Sequence, residues 1–215
     1  MDYSIAVVLG NGESRTNFPT YKLTGHVPLI GCNAVHRDTI VDHLVCCDER
    51  MIREAVLNPN TMETKIYVRE HGYDFFRKVQ KRKNIVKVPN IPNPQLIRVD
   101  NPRNWGSGTY AHLIASQLED VKQIYMLGFD LYSSNQFVNN LYKNTKNYSA
   151  SASHAIDPSY WIWQSNKVFK IYSHISYKVV NKNNWELPKE WQLSNVEKMN
   201  LEDFEKYCET DLFNK

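Results

Sequence analysis

Trp105-Gly106-Ser107-Gly108-Thr109-Tyr110, leading through an apolar run into Ile124-Tyr125-Met126-Leu127-Gly128-Phe129-Asp130-Leu131-Tyr132, decides the fold. A glycine-serine turn that opens a helix leaves backbone N–H groups unpaired beside the positive end of the helix dipole. That combination suits a phosphate or a carboxylate. The strand that follows ends at Gly128-Phe129-Asp130-Leu131-Tyr132. In an open α/β sheet, ligands bind outside the carboxyl ends of the strands, so the turn and this strand end are expected to face one pocket.

Working outward, the run at 4–9 is almost wholly apolar and stops at Gly10-Asn11-Gly12, the pattern of a strand buried on both faces. Further strands are expected at 27–32, 43–47, 65–68, 85–88, 123–127 and 176–180. Amphipathic helices are expected at 48–57, 73–80, 107–118 and 161–169. Alternating strands and helices predict a single Rossmann-like, doubly wound α/β fold, with a mostly parallel sheet covered by helices on both faces. The prolines at 89, 92, 94 and 102 cannot continue a helix or a central strand, so an extended loop should lead to the Gly-Ser turn. The polar, Asn- and Ser-rich stretch 133–153, carrying Phe137, Tyr142 and Tyr148, reads as a lid that orders over a ligand. The expected organisation is a nucleotide-binding domain over 1–181 and a C-terminal appendage over 182–215. Trp185 and Trp191 would pack that appendage onto the domain.

The 215 residues, 42% hydrophobic and 23% charged, are ordinary globular usage and enough for one real core. A net charge of +3 with basic residues spread out, apart from Arg77-Lys78 and Lys81-Arg82-Lys83, gives no case for a nucleic-acid partner. No run has the roughly 18 apolar residues of a transmembrane segment, and the chain enters its first strand without a signal-peptide pattern, which points to a cytoplasmic protein. Peripheral membrane contact stays compatible with this composition. Cys32, Cys46, Cys47 and Cys208 form neither a zinc pair nor a disulfide framework, and the first three read as small core hydrophobes.

Gly10-Asn11-Gly12-Glu13-Ser14-Arg15 stands where a dinucleotide fingerprint would begin, but Arg15 replaces its third glycine, which argues against a nicotinamide dehydrogenase. The turn is either merely tight, or places its backbone and the Asn11 amide on a nucleotide. Asn33 ends the second strand, and a neutral amide offers donor and acceptor to a base edge, a ribose hydroxyl or a phosphate oxygen. Tyr132 reads as a strand-end aromatic or a donor to the ligand. His154 reads as a polar loop residue or a base. Asp130 reads as a ligand contact or as a cap on backbone amides near the Gly-Ser turn. The histidines show no metal-ligand spacing, and no metal site is expected.

These residues resemble the bacterial lipooligosaccharide sialyltransferase family, which uses CMP-sialic acid. The resemblance lies in Gly10-Asn11-Gly12, in Cys32-Asn33, in His154 ahead of a helix and a final strand, and most specifically in Ser107-Gly108-x-Tyr110 with Ile124-Tyr125-x-x-Gly128-x-Asp130-x-Tyr132. It implies an inverting, metal-independent transfer from a nucleotide-sugar donor to a glycan acceptor, with no further cofactor and with a homo-oligomer as the assembly. Asn11, Asn33 and Ser107 would contact CMP, Tyr132 would donate to the leaving phosphate, and His154 would deprotonate the acceptor hydroxyl. Gly10, Gly12, Gly108 and Asp130 would line the nucleotide site. The family's arginine three residues before the serine is here Asn104, with Arg103 one place earlier. Its second leaving-group tyrosine aligns with Val138, so Tyr142 would have to supply that phenol. Relatives of the same fold include hydroxymethylpterin pyrophosphokinases. A diphosphotransferase, or a non-catalytic nucleotide-fold interaction module, therefore stands as the alternative reading.

Overall fold

The computed structural model describes residues 3–79, 81–91, 105–133 and 135–214. Eight strands form one sheet: β1 (Ile5–Leu9), β2 (Leu29–Cys32), β3 (His43–Val45), β4 (Lys65–Val68), β5 (Ile85–Lys87), β6 (Gln123–Leu127), β7 (Ser176–Asn181) and β8 (Val196–Asn200). Their order is β5-β4-β3-β2-β1-β6-β7-β8, and every pairing is parallel. The chain starts at the centre, steps outward to β5, then crosses back to lay β6 on the free side of β1. The strand order thus reverses between β1 and β6, and their carboxyl ends open the crevice in which such sheets bind ligands.

Alternate residues of β1 serve two cores, which is why the strand reads as continuously apolar. Ala6 and Val8 face a core with Ile30, Trp105, Tyr110, Met126, Tyr177 and Trp191, closed by α3 (Ser107–Ser116) and α4 (Ser159–Ile171). Ile5, Val7 and Leu9 face a second core with Leu44, Ile52, Phe76, Tyr125 and Phe204. That side carries α1 (Glu49–Leu57), α2 (Glu70–Tyr73) and α5 (Leu201–Tyr207). Covering α3 from both the sheet and α4 buries almost its whole circumference, His112 and Thr109 included. None of the described helices is long and apolar enough to cross a membrane.

Several boundaries differ from expectation for identifiable reasons. β2 starts at Leu29, two residues late, because Pro28 has no N–H for the ladder and only its carbonyl pairs, accepting from the Val7 amide at 3.0 Å. β3 ends before Cys46-Cys47, whose backbone turns toward the α1 N-cap Asp48. The helix expected at 73–80 begins at Glu70 and widens to a π-helix over Asp74–Val79. The segment 182–215 is more than an appendage. It contributes β8, paired with β7 from Tyr177↔Val196 to Asn181↔Asn200, and α5, whose Phe204 is fully buried. An edge strand reading Val-Glu-Lys-Met-Asn carries charge as edges do and hides from an apolar-run search.

Residues 135–153 form turns bolted to the domain. An isolated antiparallel bridge pairs Phe137 with His154, and the Leu141 amide donates to the Asn11 carbonyl at 2.8 Å.

Candidate active site

The crevice between β1 and β6 is held together by close backbone approach. The Gly10 amide donates to Leu127 O at 2.7 Å and the Gly12 amide to Gly128 O at 2.8 Å. A Cβ on Gly10 would stand 2.3 Å from Gly128 O, and Gly128 itself has φ +73°, so both positions need glycine. Gly12 faces the Asp130 carboxylate, which a Cβ there would meet at 2.5 Å. Asp130, 8% exposed, accepts from the Ser14 amide at 2.9 Å and from the Ser14 hydroxyl. Both of its oxygens are thereby engaged as a clamp on the turn after β1. The cap expected near the Gly-Ser turn exists, but on the other loop of the crevice.

Arg15, where a third glycine would have stood, lies 3% exposed and donates to Gly10 O at 2.7 Å and to the Tyr142 hydroxyl at 2.8 Å, with Asp38 at 3.5 Å. Its side chain fills the space a dinucleotide fold keeps for helix–strand contact. Tyr142 in turn donates to Asp38 at 2.7 Å and is 7% exposed in the core on the α1 side. Burial raises its hydroxyl well above the ordinary tyrosine range. The expectation that Tyr142 reaches a leaving group is therefore corrected: its phenol bolts the 133–153 segment to the domain.

On the other side of the crevice, α3 begins at Ser107 after an N-cap, Gly106, that has no side-chain cap. Among the described residues, only the Gly106 amide finds a side chain, Gln164 Oε1 at 3.2 Å, which also accepts from Thr109 Oγ1 at 2.9 Å. The amides of Ser107, Gly108 and Thr109 precede the first intrahelical bond, made by Tyr110 to Gly106 O at 3.1 Å, and have no hydrogen-bond acceptor among the described residues. The Ser107 hydroxyl accepts from the Cys47 amide at 3.0 Å, which leaves its own proton to give. Phe129 lies between the two glycine turns: its ring is 3.0 Å from where a Gly108 Cβ would be and 3.2 Å from that of Gly10.

Tyr148 links Asn11 to the turn after β2. Asn11 Nδ2 donates to the Tyr148 hydroxyl at 2.8 Å, and the Ala34 amide approaches the same oxygen at 3.4 Å. Asn33 holds φ +51°, a left-handed conformation that asparagine tolerates, directly after β2. The side-chain oxygens of Asn11 and Asn33 are both shielded from solvent and have no hydrogen-bond partner. Two unpaired buried acceptors are costly and call for a donor.

Tyr132 follows Leu131, whose φ of +61° kinks the chain outward, and is 46% exposed. Partial burial, then the nearby Glu190 carboxylate, raise its hydroxyl above the ordinary value, keeping it a protonated donor. Asn139 holds its carbonyl at 3.1 Å and accepts from the Glu13 amide at 3.1 Å, so one lid residue ties both loops of the crevice. Trp185 Nε1 donates to Asp130 O at 2.7 Å, so the tail props the same strand end. His154 is exposed and oriented by its bridge to Phe137, with the rings stacked at 6.0 Å. Tyr132, His154 and Ser107 share no hydrogen bond with one another. Arg103 and Asn104 lie outside the described residues.

Two site residues escaped the sequence reading. Tyr148 was only one of several lid aromatics, and nothing local marks it as the group between Asn11 and Ala34. Arg69 directly follows β4, so the strand-end rule applied there would have found it. Its Nη2 donates to Trp105 O at 2.5 Å, at the threshold of α3.

No protein-family model and no curated protein sequence matches the chain. Among solved structures, the monofunctional alpha-2,3-sialyltransferase Cst-I from Campylobacter jejuni superposes with a TM-score of 0.54 at 16% identity, covering 90% of this chain and 81% of its own. The sialyltransferase CST-II in complex with trisaccharide acceptor and CMP gives 0.53 at 15% identity, covering 95% and 98%. CstII from Campylobacter jejuni with the substrate analogue cytidine-5'-monophosphate gives 0.52 at 14%, covering 95% and 97%. The chain shares the fold of these structures over nearly its whole length.

Proposed function

Taking that shared fold as the premise, we propose that the chain is a sialyltransferase-like glycosyltransferase. It takes a sugar from a cytidine nucleotide, CMP-sialic acid, and passes it to a glycan hydroxyl with inversion and without a metal. The observation that carries this reading is that, at the strand ends beside the β1/β6 reversal, the first turn of α3 has no side-chain cap and two buried asparagine oxygens lack donors.

Breaking the glycosyl–phosphate bond builds negative charge on the departing nucleotide. Amides of Ser107 and Gly108, the Ser107 hydroxyl and the Tyr132 phenol supply donors for that charge, and the helix dipole adds to them. Asn11 and Asn33 bind the nucleoside through their unpaired oxygens, which suits ribose hydroxyls or an exocyclic amine. His154, exposed at the lid edge, takes the proton of the acceptor hydroxyl as it attacks. Such transfer contributes about 10²–10⁴-fold. Gly10, Gly12 and Asp130 shape the pocket rather than touch the reacting atoms. With Tyr142 committed elsewhere, Tyr132 is the sole phenol in this scheme for the leaving phosphate.

A thermal-shift panel of CMP, UMP, GDP, NAD and ATP with magnesium tests the class. A ligand of the native state stabilises in proportion to the logarithm of its excess. CMP should give the largest shift, and CMP-sialic acid should be turned over in the presence of chelator. Preference for ATP with magnesium would favour diphosphate transfer instead, and no shift with any nucleotide would favour a non-catalytic module.

A further inference from the structure

We infer that Arg69 is the anion-binding residue of this site, taking the charged oxygens of the donor, phosphate or carboxylate, in concert with the first turn of α3. The inference rests on the nucleotide-donor reading above and adds a residue from a strand that reading does not use.

The guanidinium emerges at the carboxyl edge of the sheet, one residue past the end of β4. Its Nη2 grips the carbonyl of Trp105, the residue before the α3 N-cap, so the cation stands at the mouth of the helix. Its Nε is shielded from solvent and unpartnered. No described carboxylate pairs with it: Glu70, its neighbour, holds Lys87 at 2.7 Å, and Asp48 faces Arg50 at 3.4 Å while capping α1. A cation beside the positive end of a helix is the less favourable placement, and a bound anion turns both features into assets. The Cys47 thiol lies against the same guanidinium; burial raises it, and the Arg69 charge draws it back. Cys47 also hands its amide to Ser107, so Arg69, Cys47, Ser107 and the α3 turn form one connected wall.

Calorimetry with CMP, cytidine and free N-acetylneuraminate tests this on wild type, Arg69→Gln and Arg69→Lys. Glutamine removes the charge and, being shorter, also gives up the Nη2 contact to the Trp105 carbonyl, whereas lysine keeps the charge. Wild type should bind CMP about 10–100-fold more tightly than cytidine, as one charge-assisted pair allows. Arg69→Gln should lose most of that preference, the donors of the α3 turn keeping the rest, with cytidine binding unchanged, and Arg69→Lys should recover part of the loss. If N-acetylneuraminate binds wild type and not Arg69→Gln, the carboxylate is the group held. Equal binding of CMP and N-acetylneuraminate by wild type and Arg69→Gln would overturn the inference. Should Arg69→Gln fail to fold, Arg69→Lys decides: unchanged affinity for cytidine with weakened CMP supports the role, and unchanged affinity for both overturns it. If wild type binds no cytidine compound, the nucleotide reading fails, and inorganic pyrophosphate becomes the probe. A melting shift with pyrophosphate in wild type but not in Arg69→Gln keeps the anion site, and no shift removes it.

Discussion

Buried polar side chains in this molecule divide by whether they have a partner. Asp130 and Tyr142 are satisfied and hold loops. Asn11 and Asn33 keep unpaired oxygens, and His112, 1% exposed, bonds Ser165 through Nδ1 at 3.1 Å and leaves Nε2 without a partner. Burial against Phe129 and Phe169 lowers His112 to about 3. Because this lies below its unfolded value, the unfolded chain takes up a proton that the folded chain refuses. The stability held by neutral His112 is complete above pH 6.5 and is lost as pH falls toward 3, with a slope of up to about 1.4 kcal/mol per pH unit. His36 and His43, also lowered by burial, act in the same direction. Urea denaturation of wild type and His112→Gln between pH 6 and pH 4 should therefore differ, with wild type losing about 2 kcal/mol more over that range. Equal losses would mean that His112 is protonated in the folded state. Of the individual site residues, those at strand ends were legible, since Asn11, Asn33 and Asp130 each follow an apolar run. Partners far apart in sequence were not: the pairings of Asp130 with Ser14 and of Tyr148 with Asn11 exist only once β1, β6 and the lid are assembled.

Among the elements, the 133–153 segment is attached by polar bolts as well as by its chain ends. Arg15, Asp38 and Tyr142 form one bolt. Arg37 forms another: it pairs with Glu54 at 2.5 Å, reaches Lys146 O at 2.8 Å, and lies 5.5 Å over both the Tyr142 and Tyr148 rings. Asp38→Ala leaves Arg15 buried without its counter-charge, which costs about 2 kcal/mol after allowing for the 42% exposure of the Asp38 side chain. Tyr142→Phe removes two hydrogen bonds and costs about 1–2 kcal/mol. Both should increase hydrogen exchange across 135–155. Tyr142→Phe should spare turnover, while Tyr132→Phe should lower it at least tenfold. The reverse ranking would return Tyr142 to the chemistry. The doubly covered strands β1, β2 and β6 were readable because parallel central strands are apolar on both faces. β8 was not readable, because an edge strand needs charge on it to avoid pairing with another chain. The π-helical turn at Asp74–Val79 carried no sequence signal at all.

At the scale of the whole molecule, the tail completes the sheet rather than decorating it. Trp191 is fully buried in the core beneath α4, Trp185 props the end of β6, and β8 covers the β7 edge. A chain stopped after Asn181 would expose that edge together with Tyr177 and Phe169 beneath it. It should therefore be recovered as aggregate or as a species without a cooperative melt, whereas a free-standing domain over 1–181 would melt normally. The strand order sets the switch point between β1 and β6, the uncapped turn of α3 and the two unpaired asparagine oxygens follow strand ends on its carboxyl side, and the proposed function depends on that placement. The most direct measurement is hydrogen–deuterium exchange of the intact protein with and without CMP. Protection should concentrate on the amides of 106–110 and on the segments around Asn11 and Asn33. Protection confined to other segments, or exchange unaltered at saturating CMP, would contradict the account.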